Sequence, residues 1–135
     1  MALQYSVSVR NAKLDAVETA TGASAMLRIR SGAPPATCAT ADSGTVLATV
    51  NLPADWMNAA SAGAKALLGT WQDASADAAG TAGHFRIYDT AGTTAHIQGT
   101  VTATGGGGDM TVDNVVFAAG QSFTVTAFTL TAGNA

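Results

Sequence analysis

The stretch HFRIYDTAGTTAHIQGTVTA, residues 84–103, decides the class of fold. Phe85 and Ile87 alternate with polar or amphipathic residues, and the alternation resumes at Ile97. A period of two places successive side chains on opposite faces, as in a half-buried strand. The segment between them, residues 89–93, is rich in Asp, Thr and Gly, which favour turns. The stretch therefore predicts a β-hairpin.

Similar alternation recurs on both sides of this hairpin. Strands are predicted over residues 4–9, 25–30, 45–50, 66–71, 84–88, 96–101, 110–117 and 121–131. The phase changes inside the last two, which predicts β-bulges near Asp113 or Asn114 and near Ala127. Bent strands suit a fold in which sheets pack face to face. We predict an all-β, single-domain β-sandwich or jelly-roll-like fold of about eight strands, with one short N-terminal helix.

The N-terminal region combines a strand pattern with a helix pattern. Tyr5, Val7 and Val9 alternate with polar residues, which predicts a first strand or a docking arm. Asn11 is predicted to cap a short helix that reaches about Thr19. The chain is therefore divided into residues 1–10, an N-terminal strand or docking arm, and residues 11–135, a single β-sandwich domain.

Composition limits the function classes. The chain has 135 residues, 47% of them apolar and 11% charged, which suits one folded domain. A net charge of −3 with only two lysines, Lys13 and Lys65, gives no basic patch, so we expect no nucleic-acid partner. Cys38 is the single cysteine, which excludes an intrachain disulfide and fits a reducing cytosol. No signal peptide or membrane segment is predicted.

Candidate catalytic and metal-binding residues are few. His84 and His96 could approach each other across the hairpin, but two imidazoles alone do not make a zinc site, and we interpret them as solvent-facing. The loop carboxylates are interpreted as turn residues: Asp73, Asp77, Asp89, Asp109 and Asp113. Asp109, Asp113 and Asn114 lack the spacing of an EF-hand. We predict no enzymatic activity, no cofactor and no metal.

The remaining candidates have structural interpretations. Trp56 and Trp71 are interpreted as core fillers rather than a carbohydrate platform. Threonines at 100, 102, 104, 124, 126, 129 and 131 are interpreted as a solvated sheet face. LRIRSG from Leu27 and FRIYDTAG from Phe85 share an Arg-Ile pair before a glycine turn, which is either coincidence or two edge strands with equivalent outward arginines.

The order of several segments carries a family resemblance. The segments are NAKLDAVE, LRIRSGAPP, SGTVLATVNLP, GTAGHFRIYDTAG, HIQGTVTATGGGGDM and FTVTAFTLT. This pattern resembles short virion-associated structural proteins of tailed phages and prophages. The resemblance implies a β-rich particle component, with a capsid decoration or cement protein preferred over a tail, baseplate or head-to-tail component. A carbohydrate- or receptor-binding β-sandwich module is a second alternative.

The resemblance also implies how such a protein acts. It would bind the outer head shell and stabilise it, with the major capsid protein or other virion proteins as partners. It would form a dimer or trimer and reside in the virion after synthesis in the bacterial host cytoplasm. Termini and loops are free to reach partners, so contacts are expected from loops 31–43 and 72–83. Within the arm, the predicted assembly contacts are Ala2, Leu3, Gln4, Tyr5, Val7 and Val9.

Overall fold

The computed structural model describes residues 2–135, which form a mostly β fold with one helix. The helix is α1, Val7–Thr21, and the strands are β1, Met26–Ser31; β2, Val46–Asn51; β3, Ala64–Ala66; β4, Gln72–Asp73; β5, Gly80–Tyr88; β6, Ala95–Ala103; β7, Met110–Val112; β8, Val116–Phe117; and β9, Phe123–Thr131. Across these residues no helix has the length and apolarity that a membrane crossing requires.

The strands form one mixed sheet that curls into a half-barrel. The strand order is β2-β1-β5-β6-β7-β9-β3, with β4 also paired to β9 and β8 to β5. Strands β5 and β6 pair antiparallel, which confirms the predicted hairpin. The β6–β7 pair is parallel, whereas β7 and β9 are antiparallel. The prediction of an all-β fold with an N-terminal helix is therefore confirmed at this level.

The apolar positions of the alternating strands form the core. Leu27 and Ile29 of β1 are fully buried, as is Ile87 of β5. Trp56 and Trp71 are also fully buried, with ring centroids 6.0 Å apart. Their burial confirms the interpretation of both tryptophans as core fillers. Rings of this size supply much of the buried apolar area in a chain with few large side chains.

The two predicted bulges have different outcomes. In the β7–β9 ladder Thr111 pairs with Ala127 but Val112 pairs with Val125, so Thr126 is an extra residue and the bulge near Ala127 is confirmed. The other phase change is an interruption of the strand. Residues 110–117 form β7 and β8, which pair with different partners, so a single strand there is wrong.

The N-terminal strand over residues 4–9 is a wrong prediction. Helix α1 begins at Val7, four residues before Asn11, because the Ser6 hydroxyl accepts a hydrogen bond from the Val9 amide and caps the first turn. The helix ends at Thr21, and Gly22 caps it with a φ of 99°, which suits glycine. Alternating valines do not exclude a helix when a capping serine precedes them, and residues 2–6 alone remain outside it.

The region between Trp71 and His84 is more ordered than the predicted surface loop. Gln72–Asp73 pairs with β9, and β5 begins at Gly80. Ala76 is buried, and the Asp77 amide donates to the Leu47 carbonyl at 2.7 Å. The predicted strand over 66–71 is also shifted, since β3 covers Ala64–Ala66. Small residues can pack closely against the sheet, so a lack of large apolar residues does not predict exposure.

Candidate functional site

Three of the predicted assembly residues, Leu3, Val7 and Val9, are exposed large apolar residues in the described part of the chain. Leu3 is 68% exposed, Val7 52% and Val9 43%. Val116, at 60%, is the remaining exposed large apolar residue among residues 2–135 and lies on β8. Isolated exposed apolar residues are ordinary, but here three fall within seven positions. Val7 and Val9 are two apart on α1 and therefore lie on different sides of the helix. We call Leu3, Val7 and Val9 the N-terminal patch.

The residues before the helix are tied to the end of the chain. The Tyr5 amide donates to the Asn134 carbonyl at 2.6 Å, and the Gln4 side chain donates to the Ala135 carbonyl at 3.4 Å. The Lys13 ammonium lies 4.4 Å from the centroid of the Tyr5 ring, a cation–π contact. These contacts hold the segment next to α1 and leave the side chain of Leu3 exposed.

A buried lysine fastens α1 to the sheet. Lys65 of β3 is 3% exposed, and its ammonium lies 2.8 Å from Asp15 and 3.0 Å from Glu18. It also donates to the Asn58 carbonyl at 2.9 Å. Burial alone would lower the pKa of Lys65, but the two carboxylates outweigh it and raise that pKa. The two patch residues on α1, Val7 and Val9, therefore lie on a helix with a fixed position.

Two arginines hold loop 32–44 over the outer face of the sheet. Arg86 of β5 is 2% exposed and donates to the carbonyls of Thr37 and Cys38, both at 3.0 Å. Its Nε donates to Gln98 of β6 at 3.1 Å, and Gln98 in turn donates to the Pro35 carbonyl at 2.7 Å. The loop carbonyls thus receive the hydrogen bonds that a buried guanidinium requires.

Asp42 is the acidic centre of this arrangement. It accepts from Arg30 at 2.8 Å, from Arg86 at 2.5 Å and from the Tyr88 hydroxyl at 2.7 Å. Partial burial would raise the pKa of Asp42, but the hydrogen bonds from Tyr88 and Arg86 and the two positive charges lower it overall. We call Arg30, Asp42, Arg86 and Tyr88 the arginine clasp.

Sequence reasoning misses the clasp: it does not single out Asp42, and it notes Arg86 only as part of the repeated Arg-Ile pair. The echo between the two Arg-Ile segments marks neighbouring strands, since Arg28 pairs with Arg86 across β1 and β5. These strands lie inside the sheet, so the alternative of two edge strands is wrong. Arg30 and Arg86 do point away from the core, but loop 32–44 covers them.

The histidines do not form a shared site. His84 pairs with Thr100 across the hairpin and is fully buried, so its interpretation as solvent-facing is wrong. Its Nδ1 lies 2.8 Å from the Gly32 carbonyl, which adds a further contact to the loop. His96 is exposed, as expected. Within residues 2–135 no group of three His, Cys, Asp or Glu side chains is arranged to hold a metal ion.

The loop carboxylates act on the backbone, as expected of turn residues. Asp73 accepts from the amides of Thr49 and Ser75, and Asp113 accepts from the amide of Thr124. Asp77 instead accepts from the Thr49 hydroxyl. Asp89 accepts from the amides of Thr93 and Thr94, and Asp109 from that of Thr100. The backbone amides of Thr93 and Thr100 respectively are the largest causes of a lowered pKa at Asp89 and Asp109.

Two hollows lie outside the clasp. One, of about 420 Å³, lies between α1 and the loop after β2 and is lined by Asp15, Glu18 and Lys65. The other, of about 430 Å³, lies between β6 and β9, with Phe85 and Phe128 in its wall.

Comparisons with known proteins give no relative for this chain. No protein family model, curated protein or solved structure matches it.

Proposed function

We propose that this protein is a non-enzymatic structural component of a tailed-phage virion, and specifically a capsid decoration or cement protein that binds the outer head shell. The N-terminal patch is the observation that supports an assembly role. Leu3, Val7 and Val9 expose apolar area that a partner surface could bury, and burial of such area drives protein association. The family resemblance supplies the virion context, and a tail, baseplate or neck position is the alternative within it.

The proposed architecture is a sandwich or jelly-roll-like arrangement of the curled sheet. Leu27 of β1 and Phe85 of β5 belong to the same buried cluster as Phe123 and Val125 of β9. The two halves of the sheet therefore share one core, as the halves of a sandwich do. The chain is proposed to act as a dimer or trimer through the N-terminal patch or loop 32–44, and the major capsid protein is its proposed partner.

A carbohydrate-binding role receives less support from the structure. That alternative requires an exposed aromatic platform from Trp56, Trp71 or Tyr88. Both tryptophans are fully buried and Tyr88 is 2% exposed. Glycan platforms need an accessible ring face, so these three residues do not supply one.

The proposal is tested on the particle of the phage or induced prophage that encodes the chain. Cryo-electron microscopy should locate density for the protein on the capsid shell, and Leu3→Asp with Val9→Asp should reduce its occupancy. Val116→Asp is the matched control, because it places a charge at an exposed apolar position away from the patch. Density on the tail or neck would reject the decoration role, and absence from the particle would reject the virion role.

A further inference from the structure

The sheet has an unfilled strand position beside β7. Strands β6 and β9 have nine residues each, but β7 between them has three, Met110–Val112. On the N-terminal side of Met110, no strand of the described chain lies between residues 95–100 of β6 and residues 129–131 of β9. Two strands that flank a third lie about 9.5 Å apart, which leaves the width of one strand. We call this opening the slot.

The β6 side of the slot presents backbone groups that pair with no neighbouring strand. The Thr100 amide donates to the Asp109 carboxylate at 2.9 Å, so it points away from β5 and towards the slot. Ladder bonds alternate along a strand, and the backbone of Gln98 therefore faces the same way. Asp109 accepts the hydrogen bond of the Thr100 amide, and the backbone of Gln98 stays free to pair with a strand.

The β9 side presents a matching set. The Phe128 carbonyl accepts from Leu67, and the Ala132 amide donates to the Gly63 carbonyl, both on the β3 side. By alternation, the backbone groups of Thr129 and Thr131 face the slot. Because β6 and β9 are antiparallel to each other, an inserted strand pairs parallel with one and antiparallel with the other.

The slot is a hollow of about 430 Å³ with an apolar floor and an acidic end. Phe85 and Phe128 are buried beneath it, with Ile97 half-buried at its side. Asp109 lies at the end next to β7 and is the charged residue of its lining. The Thr100 amide and hydroxyl lower the pKa of Asp109, so this end is negative at neutral pH.

We propose that the slot binds an extended segment of a partner protein, which enters as a strand between β6 and β9 and places a Lys or Arg beside Asp109. Backbone hydrogen bonds on both sides and an apolar side chain on the floor would hold it, the mode known as β-augmentation. The charge at Asp109 selects a basic segment. The chain's own residues 2–9 contain no basic side chain, and Tyr5 is bonded to Asn134, so a foreign segment fits better.

The test uses a blocked heptapeptide, KTVTVTK, titrated into the ¹⁵N-labelled protein at low salt. Amide shifts should concentrate at Gln98, Thr129 and Thr131. The acidic counterpart ETVTVTE should bind about tenfold more weakly, because its charges repel Asp109. A KTVTVTK peptide that is N-methylated at its central residues should also lose about tenfold, because it lacks the donors of a strand.

Matched variants separate the charge from the fold. Asp109→Asn should remove the preference for the basic peptide, whereas Asp113→Asn, which changes a neighbouring exposed carboxylate that also accepts a backbone bond, should retain it. No binding, equal binding of the N-methylated peptide, or shifts outside the slot would overturn the proposal. Tighter binding of the peptide ALQYSVSV, residues 2–9, would assign the slot to a second copy and overturn the foreign partner.

Discussion

Two buried cationic sites, Lys65 and the pair Arg30 and Arg86, attach non-sheet segments to the sheet, and they are neutralised in opposite ways. Lys65, beneath α1, faces two carboxylates, Asp15 and Glu18. In the arginine clasp, one carboxylate, Asp42, serves both Arg30 and Arg86. The helix attachment therefore has a spare acid, whereas the loop attachment depends on a single side chain.

The difference follows from the chemistry of the two cations. A guanidinium has five N–H donors in a fixed plane, and Arg86 uses backbone carbonyls and Gln98 for most of them. An ammonium is a compact charge, and Lys65 needs acids close by when it is buried. Backbone carbonyls can therefore accept the hydrogen bonds of a buried arginine, but they do not neutralise its charge, which depends on Asp42 alone.

The largest expected effect is that of Asp42→Asn. Arg30 and Arg86 would remain buried without a counter-charge, and the free energy of unfolding should fall by about 3 kcal/mol. Urea denaturation followed by circular dichroism measures this value. Asp15→Asn is the control for the other attachment, because Glu18 stays within 3.0 Å of Lys65. Equal losses in the two variants would contradict the comparison.

The next effect compares Lys65→Met with Arg86→Met. Methionine keeps the packing of the lysine stem, and Asp15 is 49% exposed and can return to water. Glu18, at 17%, stays mostly buried without its cation, so Lys65→Met should cost about 2 kcal/mol. Arg86→Met removes the donors to Thr37 and Cys38 and should cost about 3 kcal/mol. The same denaturation assay orders them. A larger loss for Lys65→Met would show that the stability of the fold depends more on the helix attachment than on the loop attachment.

A smaller effect is expected for Tyr88→Phe. The variant removes the hydroxyl that donates to Asp42 at 2.7 Å but keeps the ring, which lies 4.7 Å from the Arg28 guanidinium. The expected loss is about 1.5 kcal/mol, the low end of the contribution of one hydrogen bond to a charged group. Tyr5→Phe is the matched control, since that ring acts through its face towards Lys13. An equal loss at Tyr5 would contradict a specific role for the Tyr88 hydroxyl.

The sequence predicts the parts of this fold that depend on alternation. The β5–β6 hairpin and the burial of Leu27 and Ile29 follow from a period of two, which the core imposes on every strand it touches. The helix is also predicted, but its N-cap is placed five residues too late, at Asn11 instead of Ser6. Ser6 decides where the helix starts through one side-chain hydrogen bond, which periodicity does not report.

The arginine clasp and the slot depend on contacts between distant residues. Asp42 lies in a loop without periodicity, and it meets Arg86 only because the loop folds back over 44 positions of sequence. The β6–β7 pair joins residues only nine positions apart, Val101 with Met110, but it is parallel. Parallel pairs normally need a much longer connection, so the sequence pattern does not predict it. The burial of His84 follows from the same loop, which covers a sheet face that the pattern assigns to solvent.

The smallest expected effect is a difference in acid sensitivity between the wild type and Asp42→Asn. The pKa of Asp42 is lowered in the folded state from 3.8, so its contribution to stability is present above about pH 4 and is lost as the pH falls through the folded value. The variant lacks this contribution at every pH. The gap between their thermal midpoints should therefore shrink from about pH 5 to about pH 2. Parallel curves over that range would mean that the clasp keeps its ion pairs in acid, and that its carbonyl bonds rather than the charge of Asp42 determine how firmly the loop is held.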